Sequence, residues 1–472
     1  MRSCDKVRPP GKWARVFALL RVMGFCGVAC LTMAANAPSP PSSAPMPSAE
    51  AQDSRYTLDS IIHYGLAHNP RVRIAGKDVE TETYGIQSAR AERMPRLDLG
   101  GGVTRYRYDT PLSPIVITFP LTPSELPEFK RTIWDTGLSF RLPLFTGGRL
   151  VRNVNVAEMR KAVAEDMLKT TKQDLVYNLS SVFYKIAQLE KLLVANDASV
   201  KQLETHKRNV ELFLATGTVP RLDLLKTEVE LSHARENRLL VRNNLASAYE
   251  LLKNLMGMDD MAADVSIAHE QVREAKCPTL EESLSRALSQ RPDFRAASRK
   301  VKMGEERVKI ARGKRYPDIY AAGQYGGQAG NEFAFKENYF FGVKFSVPVF
   351  DGGIISSEID KERTEHQKAV EEERYLKLSI TRDIRDAHLG IANAGERVEV
   401  TEKAIESARE NLRVEMLKYD TGAGTSTDVI DARTAMLRAE ADYFQALFDK
   451  ETAFAYLKKS AGEEWYEEEV RK

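Results

Sequence analysis

The sequence predicts a mainly α-helical fold with a small β part, in which one unit occurs twice. Long runs dense in Ala, Leu, Glu, Lys and Arg, with almost no proline, lie at 149–256 and 354–462. This composition is typical of long packed helices. A run of alternating apolar and polar residues, typical of a β-strand, precedes each of them. The same motifs recur in both halves of the chain, which indicates an internal repeat.

The repeat has two constant offsets. Matched residues early in each unit are 222 positions apart, as in Leu58 and Leu280. Matched residues from the later glycine pairs onwards are 205 positions apart, as in Gly148 and Gly353. The difference of 17 residues falls within 95–143, where the first copy has the longer loop. Two copies of one unit therefore explain both offsets.

The repeat divides the chain into six segments. Each repeat is expected to contain short helices, a β-hairpin and a long helical hairpin, with the β-hairpins at about 96–145 and 318–350. The segments are a signal peptide (1–37), a Pro/Ser-rich linker (38–55), the first repeat (56–260), a connector (261–277), the second repeat (278–462) and a charged tail (463–472).

The N-terminal segment predicts export from the cytoplasm. Basic residues precede an apolar run at 22–35, which is too short for an ordinary transmembrane helix. Two processing routes remain open, namely plain cleavage after Ala37 and acylation of Cys30. We expect plain cleavage, because Gly27 stands where lipoprotein signals usually carry an aliphatic residue.

Composition and motifs exclude several classes of function. The chain has 69 basic and 67 acidic side chains, so no overall field favours nucleic acid. A mean hydropathy of −0.39 excludes a bundle of membrane helices. Cys277 is the only cysteine after Ala37, and the 7 histidines show no ligand spacing. No nucleophile elbow, zinc-protease motif or phosphate loop occurs, so we expect neither an enzyme nor a cofactor or metal site.

A motif that is expected to join a strand to a helix occurs twice, as PLFTGGRL (143–150) and PVFDGGII (348–355). The glycines tolerate the unusual dihedrals that such a switch needs, and the prolines are expected to end the strands. The predicted join residues are Pro143, Gly147, Gly148, Pro348, Gly352 and Gly353.

The long helical runs are expected to stop and restart at a second pair of matched motifs, ATGTVPRLDLL and DTGAGTSTDVI. Asp223, and Thr427 or Asp428, are the expected N-caps of the restarts. Chain reversals are expected elsewhere, near 187–199 and 392–404, which would give helices of about 40–45 residues. The predicted restart residues are Gly217, Asp223, Gly422 and Asp428.

The strands raise the question of how their sheet closes. From Phe341 to Val349 every other residue is apolar, which predicts a strand with one apolar face. In the later helical run, Ile430, Leu437 and Phe444 recur at the seven-residue spacing of a coiled coil. Four strands cannot close a barrel, and an exported sheet with open edges would aggregate. Closure by several chains is the expected remedy.

The chain resembles the TolC-like outer membrane efflux protein family over about 56–462. The resemblance is carried by the duplicated unit, the P-x-F-x-G-G joins and the T-G-x-x-x-x-x-D-[LV]-[LI] restarts. It implies a homotrimer whose chains each give four strands to a 12-stranded transmembrane β-barrel in the outer membrane, in contact with its lipid. A long coiled-coil α-helical barrel would continue through the periplasm.

The resemblance also implies a function and partners. The trimer would be the exit duct of a tripartite efflux or type I secretion system, fed by an inner-membrane pump of RND, ABC or MFS type through a periplasmic adaptor. Acidic residues narrow the entrance in this family, and the candidates here are Asp383 and Asp386.

Two alternatives come from other classes of protein. An exported coiled-coil scaffold or adhesin would explain the helices, but not the two hairpins joined to them at matched positions. A periplasmic adaptor would be expected to have one helical hairpin and a lipoyl-like domain, whereas this chain has two near-equal units.

Overall fold

The structure is a computed structural model that describes residues 55–112, 117–118, 122–123, 128–260, 265–268 and 277–463. The predicted signal peptide, Cys30 and all but the last residue of the linker lie outside this part of the chain. Most of the connector, most of the charged tail and much of the longer hairpin loop also lie outside it.

The helices of the two repeats match in number and length. Each repeat contributes helices of 11, 22, 67 and 36 residues, in this order. In the first repeat they are α1 (Leu58–His68), α2 (Pro70–Ala91), α3 (Arg149–Ala215) and α4 (Arg221–Met256). In the second they are α5 (Leu280–Gln290), α6 (Pro292–Gly313), α7 (Ile354–Asp420) and α8 (Ser426–Ala461).

Eight strands occur in the described residues, and four of them are long. The long ones are β2 (Arg96–Pro111), β5 (Phe129–Thr146), β7 (Asp318–Ala329) and β8 (Lys336–Ser346). The short ones are β1 (Arg55–Tyr56), β3 (Ile117–Thr118), β4 (Thr122–Pro123) and β6 (Ser266–Ile267). The long strands form one antiparallel sheet in the order β2-β5-β7-β8, so β2 and β8 are its edges. The predicted mainly α fold with four strands is confirmed.

The predicted chain reversals near 187–199 and 392–404 are wrong. Both segments lie inside unbroken helices of 67 residues, which at 1.5 Å per residue are about 100 Å long. Neither proline nor glycine interrupts 187–199, and 392–404 contains only Gly395. The chain reverses instead at the ends of these helices, beside Gly217 and Gly422.

Each long helix packs against two shorter helices placed one after the other. Near the start of α3, Glu158 pairs with Arg90 of α2. Further along, Glu204 of α3 pairs with Arg235 of α4. Two partners in succession thus supply the tertiary contacts that a helix of this length requires.

The apolar core lies midway along the long helices, where the short helices join them. In the first repeat, fully buried residues of α1, α3 and α4 form it, namely Ile61, Leu179, Ile186, Leu252 and Met256. The smaller core of the second repeat contains Ala287, Ile380, Ile384, Leu457 and Ala461. The two repeats are also joined by Asp166, a buried carboxylate on α3 that pairs with Arg295 and Arg299 of α6.

Two of the predicted helix caps are corrected. Helix α4 begins after Pro220 without a side-chain cap, and Asp223 lies in its first turn. Helix α8 is capped by Thr425, whose hydroxyl accepts from the amide of Asp428, while the Asp428 carboxylate accepts from the amide of Thr425. Asp428 is therefore the third residue of a capping box and not the cap itself.

Among the described residues, none of the helices combines the length and the apolar character needed to cross a membrane.

Candidate functional site: the sheet, its joins and the hairpin ends

One face of the four-stranded sheet is predominantly apolar. Residues directly opposite each other on neighbouring strands share a face, so the register assigns each side chain to one side. Leu99 lies opposite Leu138, which lies opposite Tyr325 and then Tyr339. The same face carries Leu97, Val103, Trp134, Phe140, Leu142, Ala321, Phe341, Val343 and Phe345. Phe341 and Phe345 are 75% and 77% exposed, and an apolar surface of this kind marks contact with another apolar phase.

The opposite face of the sheet is polar and rich in small residues. Its row at mid-height contains Gly100, Gly137, Gly326 and Asn338. Further residues of this face are Arg96, Asp98, Asp135, Ser139, Arg141, Tyr320, Gln324, Gln328, Phe340 and Lys344. Alternation of an apolar and a polar face along every long strand is the pattern of a barrel with a lipid-facing outside and a wet inside.

The strand-to-helix joins use left-handed backbone. Gly147 and Gly148 have φ values of 62° and 75°, and Gly352 and Gly353 have 64° and 90°. At Gly147 the surroundings add a second constraint, because a Cβ there would overlap the carbonyl oxygen of Gly313.

Pro143 does not end its strand as predicted. Pro143 lies inside β5, which continues to Thr146 after a shift in its pairing with β7 between Pro143 and Phe145. Strand β8 ends at Ser346, two residues before Pro348. The shifted pairing lets β5 pass a residue that has no N–H to donate.

Sequence reasoning missed Asp351, which holds the second join. Its carboxylate accepts hydrogen bonds from the amide of Gly353 at 2.9 Å and from the amide of Ile355 at 2.8 Å. The bond from Ile355, followed by that from Gly353, lowers the pKa of Asp351. The signal was present, since an aspartate before a glycine pair and a helix is a cap sequence.

The first join is held differently. The Arg149 guanidinium donates to the carbonyl oxygen of Thr146 at 3.0 Å and pairs with Asp318 at the start of β7. This pair fastens the beginning of α3 to the sheet.

The two helical hairpins meet at their ends around a buried polar cluster, here named the tip cluster (His206, Thr227, Tyr419, Ser426 and Arg433). His206 Nε2 lies 2.9 Å from Ser426 Oγ, and the ring of His206 lies 4.9 Å from that of Tyr419. The cluster draws on α3, α4, α7 and α8, so it links the first hairpin to the second.

Burial perturbs both bases of the tip cluster. Burial first, and the Arg433 cation second, lower the pKa of His206 to about 4, against a smaller opposite effect of Asp420. Burial lowers the pKa of Arg433 to about 10. No sequence motif pairs these residues, because His206 and Ser426 are 220 positions apart.

The structure places Asp383 and Asp386 midway along α7. The Asp383 carboxylate lies 3.7 Å from Arg291 and 3.1 Å from Arg382, and that of Asp386 lies 3.8 Å from Arg382. Asp386 precedes the last residue of α7 by 34 positions, which corresponds to about 50 Å along the helix. An opening formed by the hairpin ends would not include either residue.

Comparison with known proteins decides the family. The model of the family described as outer membrane efflux protein matches residues 61–258 and 283–463. The chain belongs to that family. It is an outer membrane exit duct for efflux that extends into the periplasm, which confirms the predicted function and location.

Relatives in this family align over most of their lengths. Nodulation protein T of Rhizobium leguminosarum bv. trifolii is 23% identical over 412 residues, covering 86% of this chain and 85% of that protein. The outer membrane protein TolC of Vibrio cholerae is 20% identical over 416 residues, covering 86% of this chain and 90% of that protein.

Solved structures of two outer membrane proteins share the fold. VceC from Vibrio cholerae has a TM-score of 0.74 at 18% identity, covering 86% of this chain and 96% of that one. The CmeC outer membrane channel of Campylobacter jejuni has a TM-score of 0.75 at 15% identity, covering 88% of both chains.

Proposed function

We propose that three copies of this chain form one channel, with four strands from each chain closing a 12-stranded barrel. The observation that carries the proposal is the sheet itself, which has an exposed apolar face and a polar face. Its two edges, β2 and β8, have no partner strand among the described residues. An exposed sheet edge invites aggregation, and a closed barrel abolishes all edges. Pairing of β8 with β2 of the next chain satisfies both edges at once.

The long helices then line a tube that leads from the barrel into the periplasm. A periplasmic adaptor and an inner-membrane pump complete the system, and the adaptor docks at the hairpin ends. Exposed apolar side chains near these ends support the docking, namely Leu212 (66%), Leu222 (57%) and Leu417 (57%). The chain has a transport role and no catalytic one.

Asp383 and Asp386 remain the proposed narrowing of the duct. Because both residues lie midway along α7, this constriction would lie about 50 Å from the hairpin ends, towards the barrel. Three copies of each carboxylate around one axis would favour cations at that level, against the opposite charges of Arg291 and Arg382.

Extraction and conductance test the proposed channel. The protein should stay in outer membranes during a high-salt wash, leave them only in detergent, and conduct ions after insertion into a planar lipid bilayer. Release by salt alone would instead indicate a scaffold or adhesin attached to the membrane surface.

A further inference from the structure

Three cations lie together on the polar face of the sheet, at the end nearest the helices. Arg96 lies directly opposite Arg141 on the neighbouring strand. Lys344 lies opposite Tyr320, and this pair is two residues nearer to the helices than Arg141 is. All three side chains are exposed. We name Arg96, Arg141 and Lys344 the cationic belt.

The belt is not neutralised within the described part of the chain. Only Arg96 has a carboxylate partner, since its Nε donates to Asp98 at 2.9 Å. Arg141 lies over the ring of Tyr320 at 4.9 Å, and Lys344 lies over the ring of Phe340 at 4.7 Å. Neither of these two cations forms an ion pair with a described residue.

Other acids of the sheet are too distant or already engaged. Asp135 shares the polar face, but it lies six residues along β5 from Arg141, which is about 20 Å. Asp318 at the start of β7 is paired with Arg149. The belt therefore keeps a net charge of two positive units on each chain.

One pair of residues in the belt works against the pairing of β2 with β5. Like charges directly opposite each other on neighbouring strands are destabilising, and Arg96 and Arg141 occupy such a pair of positions. A feature that costs stability within the chain points to a role outside it.

We propose that the cationic belt attracts and binds anionic groups of the transported solute, so that the β section of the duct favours anions. The inference rests on the proposed function, because closure of the barrel turns the polar face towards the lumen. Guanidinium groups bind carboxylates and phosphates by paired, charge-assisted hydrogen bonds, and these groups define the class of ligand.

The proposed barrel is narrow enough for the electrostatic field of the cationic belt to act across its lumen. Twelve strands about 4.8 Å apart and tilted by about 40° give a circumference of about 75 Å and a radius of about 12 Å. Arginine and lysine side chains reach about 6 Å inward, which leaves a lumen radius below the Debye length of about 8 Å at physiological salt. The belts of three chains therefore overlap across the whole lumen.

Single-channel recording of the full chain in a planar bilayer tests the belt. The reversal potential under a KCl gradient gives the ratio of chloride to potassium permeability, and citrate added on the barrel side serves as the anionic probe. In the variant R141Q/K344Q we expect the permeability ratio to fall several-fold and block by citrate to weaken about tenfold. The charge-conserving variant R141K/K344R should keep both properties.

The outcomes separate this inference from the channel proposal. Conductance of R141Q/K344Q with an unchanged permeability ratio and unchanged citrate block would overturn the belt alone. A wild-type protein that never conducts would overturn the channel function. If the double variant does not assemble, the single variant K344Q decides. Lys344 lies on the edge strand, and its amine lies over the Phe340 ring without an ion pair to a described residue. K344Q should then show a smaller shift in the same direction, and no shift would overturn the belt.

Discussion

His206 Nε2 on α3 lies 2.9 Å from Ser426 Oγ at the start of α8, and this contact joins the ends of the two helical hairpins. Both residues are buried, with exposures of 4% and 0%. A buried polar group that loses its partner costs about 1–3 kcal/mol. The contact is therefore expected to hold the two hairpin ends together.

Replacing Ser426 by alanine should loosen the hairpin ends without unfolding the chain. We expect faster amide hydrogen exchange at 213–219 and 419–425, by a factor of about 10 for a loss of about 1.4 kcal/mol. The matched control is Ser232→Ala, which removes an exposed hydroxyl that bonds only to the carbonyl oxygen of Glu228. Equal rates of amide exchange in both variants would show that the contact does not hold the hairpin ends together.

The tip cluster should also weaken in acid. The pKa of His206 is about 4 in the folded chain, against an ordinary value of 6.5, because burial and the Arg433 cation disfavour the charged ring. Between these two values the unfolded state binds a proton that the folded state does not, so stability decreases as pH falls from about 6.5 to 4. The charges that act on the ring are those of Arg433 and, with the opposite effect, Asp420.

Limited proteolysis at the hairpin ends between pH 7 and 4.5 measures this dependence. The wild-type protein should become more susceptible as the pH falls, and His206→Gln should show a flatter dependence. Parallel curves for the two proteins would show that His206 does not contribute.

The two glycines of the first join should differ in their tolerance of a side chain. Both have left-handed φ values, which cost a non-glycine residue about 1–2 kcal/mol. A Cβ on Gly148 would meet open space, whereas a Cβ on Gly147 would overlap the backbone of Gly313. Gly147→Ala should therefore lower the temperature at which the oligomer dissociates on a gel by more than Gly148→Ala. An equal decrease in the dissociation temperature of both variants would mean that the backbone dihedrals alone determine the cost of a side chain.

The proposed constriction makes a prediction for Asp383 and Asp386. Changing both to alanine should weaken cation selectivity and divalent block in single-channel recordings, because it removes six carboxylates from a narrow lumen of three chains. Unaltered selectivity in an intact oligomer would assign the pair to the solvated outer side of the tube. Its contacts with Arg291 and Arg382 would then be structural.

The repeat and its helices could be predicted from the sequence because local signals specify them. Runs of helix-forming residues, and glycines with left-handed backbone, specify the structure within a few residues of themselves. Because the offsets are constant, each signal in the first copy also predicts the matching element in the second. The error at 187–199 arose from treating 67 residues as too long for one helix. Gly217 and Pro220 were the true break, and α2 and α4 supply the successive partners that stabilise such a length.

The tip cluster and the cationic belt could not be predicted, because neither is local. His206 meets Ser426 only after four helices pack, and Arg96 meets Arg141 only once the strand register is known. Asp383 and Asp386 were correctly placed on a long helix, but their level along the tube depends on where that helix ends. The wrong reversal point near 392–404 set their level close to the end of that helix, whereas they lie midway along it.

The mass of the detergent-solubilised complex shows whether three chains close the barrel. Light scattering, corrected for bound detergent, should give three times the mass of the mature chain, because twelve strands from three chains close the sheet edges at β2 and β8. A monodisperse monomer that stays folded in detergent would rule out the trimeric barrel, since a sheet of four strands cannot close a barrel on its own.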